Sequence, residues 1–265
     1  MPELRDWYDT PLYYDIIFDA DTPREADFLE AVHELHGLGG RSRRVLEPAC
    51  GSGRLVLEMA RRGWKVDGFD GNLRMLEFAK ERVRNAKLKA ELWEDWMQSF
   101  CPGKHQPYDM AHCLVSSFKY LLTGRHAAAC LRRVADALKP GGLFVLGVHL
   151  TCYSNNPEEH ERWKAERDGI RVVCDTHTWP ADPQTRQENL RTRLRITQGS
   201  RTQTQETRWQ FRTYNAAQIR RLLRSAPTLE LVACHDFTYD LQTPRQLDDS
   251  YSDIVLILRR RSADP

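Results

Sequence analysis

Two carboxylates and two glycines are the residues of this chain best spaced to do chemistry together. Glu47 closes a short apolar stretch in VLEPACGSGR, Gly51 and Gly53 follow, and Asp70 ends the next apolar stretch. A strand that runs into a glycine turn and then a helix brings backbone close to a ligand. Glycine permits this because it reaches positive φ without a Cβ clash. An acid at the end of the following strand can accept both hydroxyls of a ribose. The layout belongs to nucleotide-type cofactors in general. Two details narrow it. The third glycine of G-x-G-x-x-G is replaced by Val56, and Glu47 would sit badly beside a pyrophosphate. A carboxylate there suits a cationic ligand.

S-adenosylmethionine has no phosphate, an α-ammonium, a sulfonium and free ribose hydroxyls. Glu47 near the ammonium and Asp70 on the ribose match that molecule. Further segments support the match: VDGFDGNLRMLEFAKER, WEDWMQSF, YDMAHCLVSSFKYLLT and ALKPGGLFVL. With VLEPACGSGR, they make the chain resemble the class I S-adenosylmethionine-dependent methyltransferases over roughly residues 8–150 and the last two strands. The resemblance implies S-adenosylmethionine as cofactor. It places Glu47, Ala49, Gly51, Gly53 and Arg54 of the first motif at the cofactor, with Asp70, Gly71 and Met75 of the second. It also implies that Asp95 binds the adenine amino group, that Trp96 flanks the ring, and that Leu114 lies beside the site. The N-terminal segment DWYDTPLYYDIIFDADTPREADFLEAV resembles small-molecule N-methyltransferases of the amino-sugar and glycine/sarcosine types. On that likeness Tyr13 or Tyr14 closes over the cofactor, and Tyr14 joins the candidate cofactor and catalytic residues.

Methyl transfer from a sulfonium is an in-line displacement, so proximity and alignment supply most of the catalysis. A general base is needed where the acceptor must lose a proton. His149 is the leading base, because it ends a strand and ligands of open α/β sheets bind outside the carboxyl ends of strands. Tyr153 and Ser117 are secondary candidates. The loop Val115-Ser116-Ser117-Phe118 lacks the proline motif of base amino-methylation, and no Pro-Cys nucleophile follows the fourth strand. The substrate expected is therefore a small molecule methylated at N or O. Methylation of a protein or RNA group and non-catalytic cofactor binding are the alternatives.

The elements that must hold these residues are legible in the pattern. RRVLEPAC, WKVDGFD, KAELWED, YDMAHCLV and GLFVLGVHL read as strands, separated by helical stretches ending at Gly63, near Val83 and at Pro140-Gly141-Gly142. Near-continuous apolar strands are typical of buried parallel sheets. A helix starts at Thr22, expected to cap with Pro23 in its first turn, and stops at Gly37, Gly39 and Gly40. Residues 170–213 alternate polar and apolar, which predicts an antiparallel insert with one wet face. A helix from about Asn215 to Arg224 and two more strands, LELVACHDF and SDIVLILRRR, follow. The fold predicted is α/β: a doubly wound, mostly parallel seven-stranded sheet with a small antiparallel insert after the fifth strand. It divides into a lid helix with cofactor core (1–151), a substrate roof (152–214) and a return to the core sheet (215–265), one domain overall.

Composition excludes several classes. Of 265 residues, 41% are hydrophobic and 29% charged, which rules out a mostly disordered chain. No apolar run approaches the ~20 residues of a membrane helix. The first ten residues show no secretory signal pattern, and seven scattered cysteines without CxxC predict reduced thiols in a cytoplasmic protein. No metal site is predicted; His33 and His36 lack a supporting carboxylate pattern. Net charge is +2, too little to argue for nucleic acid. Residues 1–30 hold nine acids against two arginines, and 184–224 hold ten arginines against two glutamates. These segments are expected to form solvated surfaces that pair with each other, with Arg191, Arg193 and Arg195 facing away from the pocket. A monomer or homodimer is expected.

Overall fold

A computed structural model describes residues 3–39, 43–102 and 106–262. The chain opens with a two-residue strand, β1 (Glu3–Leu4), and two helices, α1 (Pro11–Phe18) and α2 (Thr22–His36). Strands and helices then alternate: β2 (Arg44–Pro48), α3 (Arg54–Arg61), β3 (Lys65–Asp70), α4 (Leu73–Asn85), β4 (Ala90–Glu94), β5 (Tyr108–Cys113), α5 (Gly124–Ala137) and β6 (Leu138–His149). Four long strands come next: β7 (Glu159–Arg167), β8 (Ile170–Thr178), β9 (Gln187–Gln198) and β10 (Arg201–Arg212). The chain returns through α6 (Ala216–Arg224), β11 (Leu229–His235) and β12 (Asp253–Arg260).

Among the described residues the strands form two sheets. The core sheet has seven, ordered β11-β12-β6-β5-β2-β3-β4. It is mixed: β4, β3, β2, β5 and β6 pair in parallel, while β12 runs antiparallel to both β6 and β11. The expected parallel sheet therefore carries one reversed strand. All six residues of β5 are buried, as are Ile254 to Leu258 of β12. Each such aliphatic or aromatic side chain contributes about 1.5–3 kcal/mol when fully buried. That explains the apolar run of β12 and the mostly apolar β5, where Asp109 and His112 are the buried polar exceptions. Helix caps are local: Asn72 Oδ1 accepts from Arg74 N and Met75 N, and Asn215 with Gln218 forms a reciprocal capping box.

The second sheet is the insert, ordered β1-β10-β9-β8-β7. It is larger than the pattern predicted. Strand β7 escaped the reading because EHERWKAER is almost wholly exposed and charged, an edge strand with no apolar alternation strong enough to register. Helix α1 was also unread. Its apolar residues Ile16, Ile17, Phe18 and Tyr14 pack with Trp7 on Val172, Cys174, Leu194 and Ile196 of the insert. The cap prediction at Thr22 fails as well. Asp21 occupies the N-cap, and Thr22 is buried with its Oγ1 accepting from Arg54 Nη1 at 3.1 Å. Helix α2 ends at Gly37 as expected; Gly40 lies outside the described residues. The strand expected from Gly142 begins earlier and takes in Pro140 and Gly141, since β6 starts at Leu138.

The acidic N-terminal segment meets the arginine-rich one through the backbone, β1 on β10, but among the described residues no ion pair joins its acids to those arginines. Asp15 binds Arg82 and Arg167, Glu25 binds Arg54, and Glu30 binds Arg43 and Arg62. These bridges fasten α1 and α2 onto α3, α4 and β7. Arg193 instead pairs with Glu206 on the neighbouring strand.

Candidate active site

The glycine loop lies at the carboxyl end of β2, where the chain must turn sharply into α3. Ala49, Gly51 and Gly53 all have positive φ, at 56°, 52° and 72°. At Gly53 a Cβ would lie 2.8 Å from Ala79 Cβ, so glycine is also what lets α3 approach α4. Asp70, ending β3, orders this loop: its two oxygens accept from Gly51 N and Asn72 N, each at 2.8 Å. Burial pushes its carboxyl above the ordinary aspartate range, against those two hydrogen bonds.

Glu47 is only 7% exposed, and its Oε2 has no hydrogen-bond partner. Burial pushes its carboxyl up to about 8. A buried carboxylate oxygen without a partner is costly unless a ligand supplies one. Glu47 lines a small cavity of about 30 Å³ with Ala49, Gly51, Arg54 and Leu114. Tyr14 roofs this space; a Cβ on Gly51 would lie 3.9 Å from its Cε1. The N-terminal segment thus covers the loop with Tyr14. Tyr13 points elsewhere, its hydroxyl accepting from Gln203 Nε2 at 3.0 Å.

The remaining cofactor candidates divide. Arg54 is buried and held by Glu25 and Thr22, which ties the loop to α2. Met75 is fully buried in α4 and lines neither cavity. Asp95 caps its own loop: Trp96 N donates to Oδ1 at 2.8 Å, and Cys101 N to Oδ2 at 3.2 Å. Trp96 is 57% exposed, and its ring lies across Gly71, where a Cβ would meet it at 2.9 Å.

Beside the glycine loop opens a cavity of about 680 Å³. The two cavities share Tyr14, Arg54, Val115 and Ser117 as walls. The inward face of the insert forms its roof through Glu159, Glu161 and Trp163 of β7 with Thr176, Glu188 and Leu190. Aromatic rings from Trp7, Tyr8, Trp209, Phe211 and Phe237 line it. Lys119 and Glu188 form a buried ion pair at 2.6 Å in the wall.

His149 lines this cavity. Its Nδ1 lies 2.6 Å from Asp253 Oδ1, and its backbone N donates to Ser116 Oγ at 3.0 Å. The pair arises from strand register, because Asp253 of β12 stands directly opposite His149 of β6. The hydrogen bond from His149 holds the Asp253 carboxyl below its usual range. With Nδ1–H committed to the aspartate, Nε2 is left as the proton acceptor. Glu161 faces the same space, and its carboxyl is raised by burial, partly offset by His149. Tyr153 is withdrawn from the cavity and bonds Thr213 Oγ1 at 2.8 Å. Asp253 and Glu161 were not singled out in the sequence. No local signal in the sequence marks Asp253; its place follows from the register of β12 against β6.

Residues 45–142 match the family described as Methyltransferase domain. Among curated relatives, YqeM of Bacillus subtilis (strain 168) is 29% identical over 40% of this chain and 42% of its own length. A ubiquinone biosynthesis O-methyltransferase of Yersinia pestis (strain Pestoides F) is 29% identical over 38% and 40%. The chain therefore spans less than half the length of these two relatives. Solved structures match nearly throughout. A methyltransferase from Clostridium acetobutylicum ATCC 824 has a TM-score of 0.73 at 17% identity, covering 94% of this chain and 96% of that one. The sugar N-methyltransferase KedS8 from Streptoalloteichus sp ATCC 53650 has 0.70 at 16%, covering 99% and 96%. No helix among the described residues is long and apolar enough to cross a membrane.

Proposed function

We propose that this chain transfers a methyl group from S-adenosylmethionine to the nitrogen of a small-molecule amine held under the roof. The observation that carries the reading is His149, backed by Asp253, at the wall of a cavity that adjoins the glycine loop. Bound S-adenosylmethionine supplies a methyl group already activated by its sulfonium. The residues fit it: unpartnered Glu47 Oε2 meets the ammonium, and Asp70 has acceptor capacity left for the ribose hydroxyls. Asp95 is assigned to the adenine amino group and Trp96 to the ring edge. Access requires Tyr14 to swing away, since it fills the space above Gly51.

The volume suits a small molecule, as ligand pockets run to about 300–1,000 Å³. Nitrogen is favoured over oxygen by the wall chemistry. Glu159, Glu161 and Asp253 share the space with several aromatic faces, and both features attract an ammonium ion. An ammonium must lose a proton before it can attack, and His149 Nε2 can take it while Asp253 stabilises the imidazolium. KedS8 is named as a sugar N-methyltransferase, which agrees with an amine acceptor. The test is S-adenosylhomocysteine release across a panel of small amines and phenols. Turnover of amines is expected; turnover confined to phenols would overturn the nitrogen assignment.

A further inference from the structure

On the outer face of the roof, away from the cavity, two histidines and a glutamate converge. His160 of β7 and His177 of β8 are direct cross-strand partners. Their rings stack with centroids 4.1 Å apart, and His177 Nε2 lies 3.0 Å from Glu158 Oε2. One ligand atom from each of the three lies within 4.8 Å of the other two. We infer that Glu158, His160 and His177 bind a divalent transition-metal ion of the zinc type.

Directly opposed residues on antiparallel strands hold their Cβ atoms roughly 4.5–5.5 Å apart. Two imidazoles so placed can reach one ion without backbone movement. Tetrahedral zinc with ligand bonds of about 2.0–2.1 Å needs its ligand atoms roughly 3.3 Å apart. Side-chain rotation closes that gap, because Glu158 and His160 are exposed and free to adjust. His177 is already fixed by its ring contact with Trp179, at 4.1 Å between centroids. Two imidazoles with one carboxylate select a zinc-type ion; magnesium and calcium prefer all-oxygen sites.

Position gives the site its consequence. Strand β7 is the edge of the roof sheet, paired only with β8 among the described strands. Side chains alternate along a strand. His160 therefore points away from the cavity, while Glu159, Glu161 and Trp163 of the same strand line it. An ion joining Glu158 and His160 to His177 clips the cavity wall to its neighbour strand. It is a structural clip on the wall, outside the reaction itself.

The site is tested by calorimetric titration of the full chain with zinc chloride, with magnesium and calcium chlorides as controls. A Cys101→Ser/Cys152→Ser background removes the exposed thiols, which would otherwise compete for zinc. One zinc per chain and no magnesium or calcium are expected. His160→Ala should weaken zinc at least tenfold, and Glu158→Gln by less. Zinc should also slow amide exchange across Glu159–Arg167 in the background protein and leave the His160→Ala protein unchanged. Equal zinc affinity in the His160→Ala protein, or no saturable binding near ~1 mM zinc, would overturn the site and leave a stacked histidine pair. None of these readouts depends on methyl transfer.

Discussion

The two sheets solve the same problem in opposite ways. The central core strands are buried on both faces, so their polar groups at the site sit at strand ends and in the following loops. There the backbone fixes them: Asp70 is held by two main-chain N–H groups, and Glu47 by burial around it. The roof sheet packs one end of its inner face on α1 and leaves the rest to the cavity. Its working groups, Glu161, Trp163, Thr176 and Leu190, stand in mid-strand. Side chains there can change without disturbing the ladder that holds them. On the proposed function, the core holds the methyl donor and the roof faces the acceptor. His149 with Asp253 joins the two, on core strands but facing the roofed space.

If that division holds, His149→Ala should show the largest effect. Turnover should fall about 10²- to 10⁴-fold, the range for loss of a general base. Cofactor affinity, read by calorimetry, should not change; a parallel loss would move His149 to the donor side of the comparison. Asp70→Ala should act the other way round. Loss of hydrogen bonds to a charged acceptor costs about 1.5–3 kcal/mol, so affinity for S-adenosylmethionine should drop about 10- to 150-fold. Unchanged affinity in a folded protein would break the assignment of the core to the donor.

Glu47 offers a pH test of the same side. Its folded pKa, about 8, lies above the ordinary carboxylate value. Between the two, the folded chain holds a proton that the unfolded chain has lost. The contribution of this group to stability is therefore greatest at low pH and declines as pH rises through that window. Glu47→Gln should gain on the parent between pH 5 and 8, on the order of 3–4 kcal/mol, in urea unfolding at several pH values. A constant difference would mean that Glu47 is not buried as an acid. The smallest effect is expected at the roof's outer face. Arg195 is exposed and lines neither cavity, so Arg195→Ala should change stability by under about 0.5 kcal/mol and leave KM for the acceptor unchanged. A raised KM would show that the arginine-rich face reaches the substrate.

Much of the core was legible because its signals are local. A glycine turn needs positive φ at particular positions, and Gly51 and Gly53 declare it. A strand buried on both faces is mostly apolar: β12 declares it from Ile254 to Leu258, and β5 does so apart from its buried Asp109 and His112. Asp70 could be placed by counting along the chain, because one strand and one helix separate it from the loop. Helix α1 and strand β7 were not legible. The apolar side of α1 is matched by a sheet more than 150 residues away, and β7 is an exposed edge whose charges mask its alternation. The paired acidic and basic segments misled for a related reason: net charge along a chain does not say which ion pairs the fold brings within reach.

The sequence by itself determined the class of cofactor site, the order of the elements and the presence of a one-faced insert, since each rests on neighbours a few residues apart. Only the tertiary structure decided what depends on register between distant strands. Antiparallel pairing sets Asp253 opposite His149 and His160 opposite His177, and it turns Glu161 inward while Arg195 stays outside. Side chains alternate with a period of two, so a one-residue slip would exchange the faces and undo all of these placements. That register is fixed by which faces the core and α1 can bury, a property of the whole packed chain and of no single segment within it.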